Sequence, residues 1–171
     1  MKLTFKNDTF KILQIADTQE GRKVSPDTLA LINAALDREE PDLVVYSGDQ
    51  IWGRGFHGDV NQVRRVLKEL TAPVVERHLP FAICFGNHDR QVGLDNRAQF
   101  EIYKEIPGFI GEDTPGVDGV GNCVLEIADG DRPGYLLYLI DSHSSLKVGY
   151  DHVHQNQIDW YRGVRDSYEK Q

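Results

Sequence analysis

The sequence predicts an α/β protein built on a mainly parallel sheet with helical crossovers, plus a hairpin. Two observations predict it. Three short apolar runs, at residues 10–16, 42–46 and 81–85, alternate with segments whose apolar residues recur at helical spacing. Further on, two more apolar runs flank a turn rich in Gly, Asp and Pro. A third observation concerns function: each of the first three runs stops at Gly or Asp, so polar residues gather where the strands end. Successive parallel strands point their carboxyl ends to one edge, and open α/β sheets bind their ligands there.

Phe10 to Ala16 reads as the first strand, closed by Asp17-Thr18-Gln19-Glu20-Gly21. Ser25 then serves as N-cap with Pro26 at the first helical position, and the helix runs to about Arg38 on Leu29, Ile32, Ala35 and Leu36. After Pro41, Asp42 to Tyr46 forms the second strand, ending at Ser47-Gly48-Asp49. A helix from about Asp59 to Leu70 presents Val63, Val66, Leu67 and Leu70 on one face. Phe81 to Phe85 is the third strand, stopped by Gly86-Asn87-His88-Asp89. Asp95 to Ile106 reads as a short helix and Pro107 to Gly121 as a loop. Asn122 to Ala128 and Tyr135 to Ile140 are strands joined by a turn over residues 129–134, and Gln155 to Tyr168 is a closing helix.

The chain of 171 residues fits one domain. Its 19 basic against 27 acidic residues give a net charge of -8, which argues against broad nucleic-acid or anionic-membrane binding. Cys84 and Cys123 each sit inside an apolar run and read as reduced core thiols. No apolar stretch has the length of a membrane span, and the first residues carry no secretory pattern, so the expected location is the cytoplasm.

Asp17, Asp49, Asn87 and His88 would share one crevice. Two carboxylates, an amide oxygen and an imidazole suit divalent ions such as Mn, Fe, Mg or Zn. Each strand end taken alone also reads as an ordinary turn; three on consecutive strands make the metal-ligand pattern.

These residues resemble the calcineurin-like metallophosphoesterases. Ile15-Ala16-Asp17-Thr18-Gln19 stands where that family has Asp-x-His, Tyr46-Ser47-Gly48-Asp49 supplies its Gly-Asp, and Gly86-Asn87-His88-Asp89 its Gly-Asn-His-Asp/Glu. Leu137-Tyr138-Leu139-Ile140-Asp141-Ser142, Tyr150-Asp151-His152-Val153 and Gln157-Ile158-Asp159-Trp160-Tyr161 are similar to the branch related to purple acid phosphatases. The resemblance implies a layered αββα fold, present here as its amino-terminal portion, and phosphoester hydrolysis with a pair of divalent ions (Mn, Fe or Zn). Asp17 would hold the first ion with Gln19, Asp49 would bridge both, and Asn87 would hold the second. His88 would protonate the leaving alkoxide or steady the phosphoryl oxygens, and Asp89 would orient its imidazole.

Two departures from the family bear on activity. Gln19 replaces a histidine, which implies a weaker, altered or lost first metal site. The family's later lone His and Gly-His-x-His are expected to be missing from a truncated or partial domain. The rival to a hydrolase is therefore a non-catalytic remnant or binding domain with a degenerate metal site. His143 and His152-Val153-His154 have the outline of the late histidines, but no Gly directly precedes His152, and a strand-to-helix cap fits that segment better.

Gly53-Arg54-Gly55-Phe56-His57-Gly58 matches Gly-x-Gly-x-x-Gly, yet it does not follow its strand directly, so a dinucleotide site is disfavoured. A flexible surface loop is the plainer reading; as a rim of the crevice it would offer Trp52, Arg54, Phe56 and His57 to substrate. Trp160 and Tyr161 read as core or interface. An uncovered strand edge would favour a homodimer or strand exchange.

Overall fold

The computed structural model describes residues 2–53 and 55–170. Its strands are β1 (Leu3–Thr4), β2 (Ile12–Ile15), β3 (Leu43–Ser47), β4 (Phe81–Cys84), β5 (Cys123–Asp129) and β6 (Arg132–Leu139). Its helices are α1 (Pro26–Glu39), α2 (Val60–Glu76), α3 (Asn96–Lys104) and α4 (Gln155–Tyr168), with a 3₁₀ turn over Asp89–Val92. β2, β3 and β4 form a parallel sheet in the order β2-β3-β4, and a second sheet has the order β1-β5-β6.

β3 shows how one strand serves two cores. Side chains alternate across a strand, so Val44 and Tyr46 enter a core with Ile32 and Leu36 of α1, Val63, Leu67 and Leu70 of α2, and Phe100 and Tyr103 of α3. Leu43 and Val45 face the other way and meet Leu3, Ala82, Leu125, Ile127 and Leu139 between the sheets. β4 divides likewise, with Phe81 and Ile83 toward the helices and Ala82 and Cys84 between the sheets. Tyr138, on the outer face of the second sheet, packs its ring 4.8 Å from Tyr161 and 6.0 Å from Trp160 of α4. The layers therefore run helices, sheet, sheet, helix, the αββα order, and Trp160 and Tyr161 are packing residues there.

Local chemistry sets the ends of these elements. Ser25 caps α1 by accepting from Asp27 N at 3.3 Å, and Glu40 closes it in the left-handed conformation at φ 46°. Asp59 Oδ1 caps α2 by accepting from Asn61 N and Gln62 N, and Asp95 Oδ1 caps α3 from Ala98 N.

α2 runs six residues past its expected end and carries Pro73 inside it. The turn before the proline is held by side-chain donors: Thr71 Oγ1 bonds Leu67 O, and buried Tyr46 Oη bonds Leu70 O. Fully buried Val74 secures the extension.

The hairpin turn is tighter than expected. Asp129 pairs with Arg132, and Pro133 lies within edge strand β6 beside a bulge opposite Ile127 and Ala128, a place where a strand accepts proline. β1 escaped the sequence reading, because two residues give no periodicity and their partners are Ile127 and Ala128. Cys84 and Cys123 are free thiols in the inter-sheet core, and burial pushes them up to about 12 and about 11. Among the described residues no helix is long and apolar enough to cross a membrane.

Two sheets sharing one close-packed layer leave little room at Ala82, which is fully buried. Ala82→Leu is expected to lower the urea-unfolding free energy by roughly 1–3 kcal/mol through overpacking. Leu31→Ala, at a side chain 72% exposed, should stay within about 0.5 kcal/mol of the parent.

Candidate metal centre

Backbone hydrogen bonds join the ends of β2 and β3, and side-chain carboxylates tie in the end of β4. Asp17 N donates to Gly48 O at 3.1 Å, and Gln19 N to Asp49 O at 2.8 Å. Asp17, Gln19 and Asp49 all have positive φ, at 55°, 46° and 54°. Such conformations are costly for non-glycine residues and tend to collect at functional sites. Here they turn the chain at the strand ends, so Asp17, Asp49, Asn87 and His88 are gathered along one sheet edge.

Asp49 is buried, and its Oδ1 accepts from His88 N at 2.8 Å. That bond fixes one carboxylate oxygen against the turn that carries Asn87 and His88. Gly86 is required for it, because a Cβ there would collide with Asp49 Oδ1. Among the described residues, the side chains of Asp17, Gln19 and Asn87 form no hydrogen bond or ion pair, so their oxygens are unspent donors.

The donor set of Asp17, Gln19, Asp49 and Asn87 is entirely oxygen, which fits hard divalent cations of the Mg and Mn class better than zinc. It is an open set. Asp17, Asp49 and His88 do not come within the 4.8 Å mutual spacing of a metal cluster.

Asp89 departs from its expected role. Its carboxylate, 1% exposed, does not orient His88. Oδ2 accepts from Gly86 N and Asp49 N at 2.7 and 2.9 Å, while Oδ1 accepts from Gln50 N and Ile51 N at 2.8 and 3.1 Å. Four backbone donors occupy it, and His88 Nδ1 is left buried without a hydrogen-bond partner. Burial pushes the Asp89 carboxyl up to about 6, against the downward pull of the amides of Gly86, Ile51 and Asp49. The His88 ring instead lies against Trp52, with centroids 5.4 Å apart, and Trp52 Nε1 donates to Gln91 Oε1 at 3.0 Å.

The glycine-rich loop after β3 is a packed connection. A Cβ at Gly53 would strike Gln91 O, and Gly58 N donates to Val92 O at 2.8 Å. These glycines allow close approach to the 3₁₀ turn, which explains the pattern without a dinucleotide. Of the four residues that the alternative reading of this loop as a rim would offer, Trp52 meets His88, His57 is exposed, and Phe56 is core at 1% exposure. Arg54 lies outside the described residues.

A second cluster lies between the end of β6 and the start of α4. His143, Asp151 and His154 each offer a ligand atom, all within 4.8 Å of one another, and they are the metal-compatible group of His, Cys, Asp and Glu among the described residues. His154 is the N-cap of α4, as the capping reading expected, while His152 points to solvent at 81% exposure. The density of histidine over residues 143–154 was a usable signal; the His-x-His outline was the wrong way to group it.

Residues 10–169 match the family model of the calcineurin-like phosphoesterases. Over 92% of its length the chain is 31% identical to phosphatase DCR2 of Saccharomyces cerevisiae, covering 32% of that protein. It is 28% identical to the probable inactive purple acid phosphatase 14 of Arabidopsis thaliana, with 94% of this chain and 48% of that one aligned. With phosphodiesterase YaeI of Escherichia coli it shares 34% identity over 55% of this chain and 34% of the relative. The chain thus spans about a third to a half of the length of these curated relatives. With its strand-end Asp17, Gly48-Asp49 and Gly86-Asn87-His88-Asp89 on one edge of an αββα fold, this chain belongs to the calcineurin-like phosphoesterase family.

Proposed function

We propose that the chain carries the strand-edge half of a metal-dependent phosphoester hydrolase site, with Asp17, Gln19, Asp49 and Asn87 as metal ligands. The observation that carries this is the bond from His88 N to Asp49 Oδ1 at 2.8 Å, which locks the Asp49 carboxylate to the turn bearing Asn87 and His88. Divalent ions bound there supply Lewis-acid polarisation of a phosphoryl oxygen. The chain's own residues do the rest. His88, half-buried and held against Trp52, delivers a proton to the leaving alkoxide or a hydrogen bond to a phosphoryl oxygen. Asp89 acts through the backbone, as the positioning residue for Asp49. Relatives named as a phosphatase and a phosphodiesterase support phosphoesters as the substrate class.

We treat residues 1–171 as a single, partial metallophosphoesterase domain, on the coverage of its relatives. A second reading, a binding domain with a degenerate metal site, draws on Gln19 in place of a histidine and on the open spacing of the carboxylates. The name of the probable inactive plant relative is in keeping with it.

One experiment separates the two. The purified chain is loaded with Mn, Fe or Zn, its metal content is measured, and chromogenic mono- and diesters are assayed. The hydrolase reading expects metal-dependent turnover that falls by about 10²–10⁴ in His88→Ala, and lower metal content in Asp49→Asn. Neither metal nor turnover in the parent would leave the binding domain standing.

Asp89→Asn replaces an acceptor pair with one acceptor and one NH₂ group facing buried amides. It should cost about 2–5 kcal/mol in urea unfolding, whether or not the chain turns over. A loss under 1 kcal/mol would contradict its role as the clamp of the turn.

The free edge of β2, where Leu13 and Ile15 border a groove with Leu31, Ile32 and Ala35 of α1, favours a homodimer of the chain. Light scattering at micromolar concentration should give twice the chain mass, and Ile15→Lys should return a monomer. A monomeric parent defeats the expectation.

A further inference from the structure

We propose that His143, Asp151 and His154 form a binding site for a borderline divalent cation of the zinc class, clasping the loop after β6 to the start of α4. This site is separate from the strand-end carboxylates. It belongs to the second sheet and its covering helix, whereas Asp17, Asp49 and Asn87 close the strands of the first.

The tautomers follow from a buried network. Gln157 is fully buried, and its Nε2 donates to Asn122 Oδ1 at 2.9 Å and to Asp141 O at 2.7 Å. Asn122 Oδ1 also accepts from Asp141 N at 3.0 Å, so the Gln157 amide has one orientation and its Oε1 is an acceptor. Oε1 takes His154 N at 2.7 Å and faces His143 Nε2 at 3.0 Å. His143 Nε2 must therefore donate, which leaves the lone pair of the neutral ring on Nδ1.

His154 is fixed from the other side. Its Nδ1 lies 2.8 Å from Asp118 Oδ2, a carboxylate that only accepts, so Nδ1 donates and the lone pair of the neutral ring sits on Nε2. That Nε2 is 3.2 Å from Asp151 Oδ1. Two acceptors face each other there unless a positive charge stands between them. A proton can fill the place, and the Asp118 and Asp151 carboxylates do hold the His154 imidazole above its usual range. A divalent cation fills it while also using His143.

Ligating histidines typically give their other ring N–H to a carboxylate or a carbonyl-type oxygen. Asp118 and Gln157 stand in those places for His154 and His143. Two nitrogens and one carboxylate make a zinc-type set with a fourth position open to water. In tetrahedral coordination the ligand atoms lie about 3.3 Å apart, so the His143 and His154 rings, stacked at 4.1 Å, must tilt as they close on the ion. The loop reaches the first site's border through Arg90 Nη2, which donates to Ser145 O at 2.8 Å.

Chelator-stripped chain is dialysed against zinc near neutral pH, and bound metal is measured for the parent, His143→Ala, Asp151→Asn and Asp49→Asn. Both cluster variants leave the α4 N-cap in place, and circular dichroism checks their fold. The site predicts that His143→Ala and Asp151→Asn each weaken one zinc per chain at least about tenfold, while Asp49→Asn keeps that zinc. Cobalt should give the visible spectrum of a four-coordinate ion in the parent and Asp49→Asn, and lose it in His143→Ala. Equal zinc affinity and stoichiometry in parent, His143→Ala and Asp151→Asn would overturn the proposal. None of these readouts involves hydrolysis, so the result stands apart from the catalytic reading.

Discussion

A single carboxylate holds the strand-end edge together. Asp89 is buried among four backbone N–H groups from Gly86, Asp49, Gln50 and Ile51, and so joins the turn after β4 to the turn after β3. Burying a charge is costly unless charge-assisted hydrogen bonds compensate, and this one has them on both oxygens. The consequence is geometric. With the amides of Asp49 and Gln50 pinned, the Asp49 side chain meets His88 N, and Gly86 must lack a Cβ to let it. Gln19 N then bonds Asp49 O, which brings the end of β2 into the same register.

The architecture explains how such a joint is kept rigid. β3 and β4 are buried on both faces, so neither strand can shift by one residue without exchanging the contents of two cores. β2 is different. Leu13 and Ile15 pack toward the helices, but Ile12 and Gln14 are exposed on the face that β3 buries against the second sheet. The strand that delivers Asp17 and Gln19 is thus supported on one face only, and Asp17 is itself exposed. The least supported corner of the edge is also the one where glutamine stands in place of the family's histidine.

How much of this was legible in the sequence varies with the range of the forces involved. β3 and β4 declared themselves because burial on both faces demands an unbroken apolar run. The helices α1 and α4 were legible from caps and period, both of which are local. β1 was not, since it is two residues long and its partner lies over 120 positions away. The strand-end residues were found because Gly and Asp after an apolar run are a local pattern. The work done by Asp89 was not: the resemblance implied that it orients the His88 imidazole, whereas four amides from two turns converge on it in space. Phe56 shows the same limit: an aromatic residue in a loop fits both a rim and a plain surface loop, and only packing reveals it as core.

The two clusters differ in the chemistry they invite, and that difference constrains what each can be. The strand-end set offers oxygen alone and stays open, with one Asp49 oxygen held by His88 N. Oxygen-only sets of this kind suit hard ions better than softer ones. The His143 set offers two nitrogens, and the other ring nitrogens face Gln157 and Asp118, so it is prepared for a softer ion. A chain with both would sort metals by ligand type, keeping zinc-class ions at the second sheet and leaving the strand-end edge to harder ones. That sorting matters because affinity alone favours the softer ion at almost any nitrogen- or sulfur-containing site. The motif that residues 15–19 resemble has a histidine, and so a ring nitrogen, where Gln19 stands. Gln19 removes one such nitrogen here, and with it one reason for a zinc-class ion to prefer that edge over the cluster beside α4.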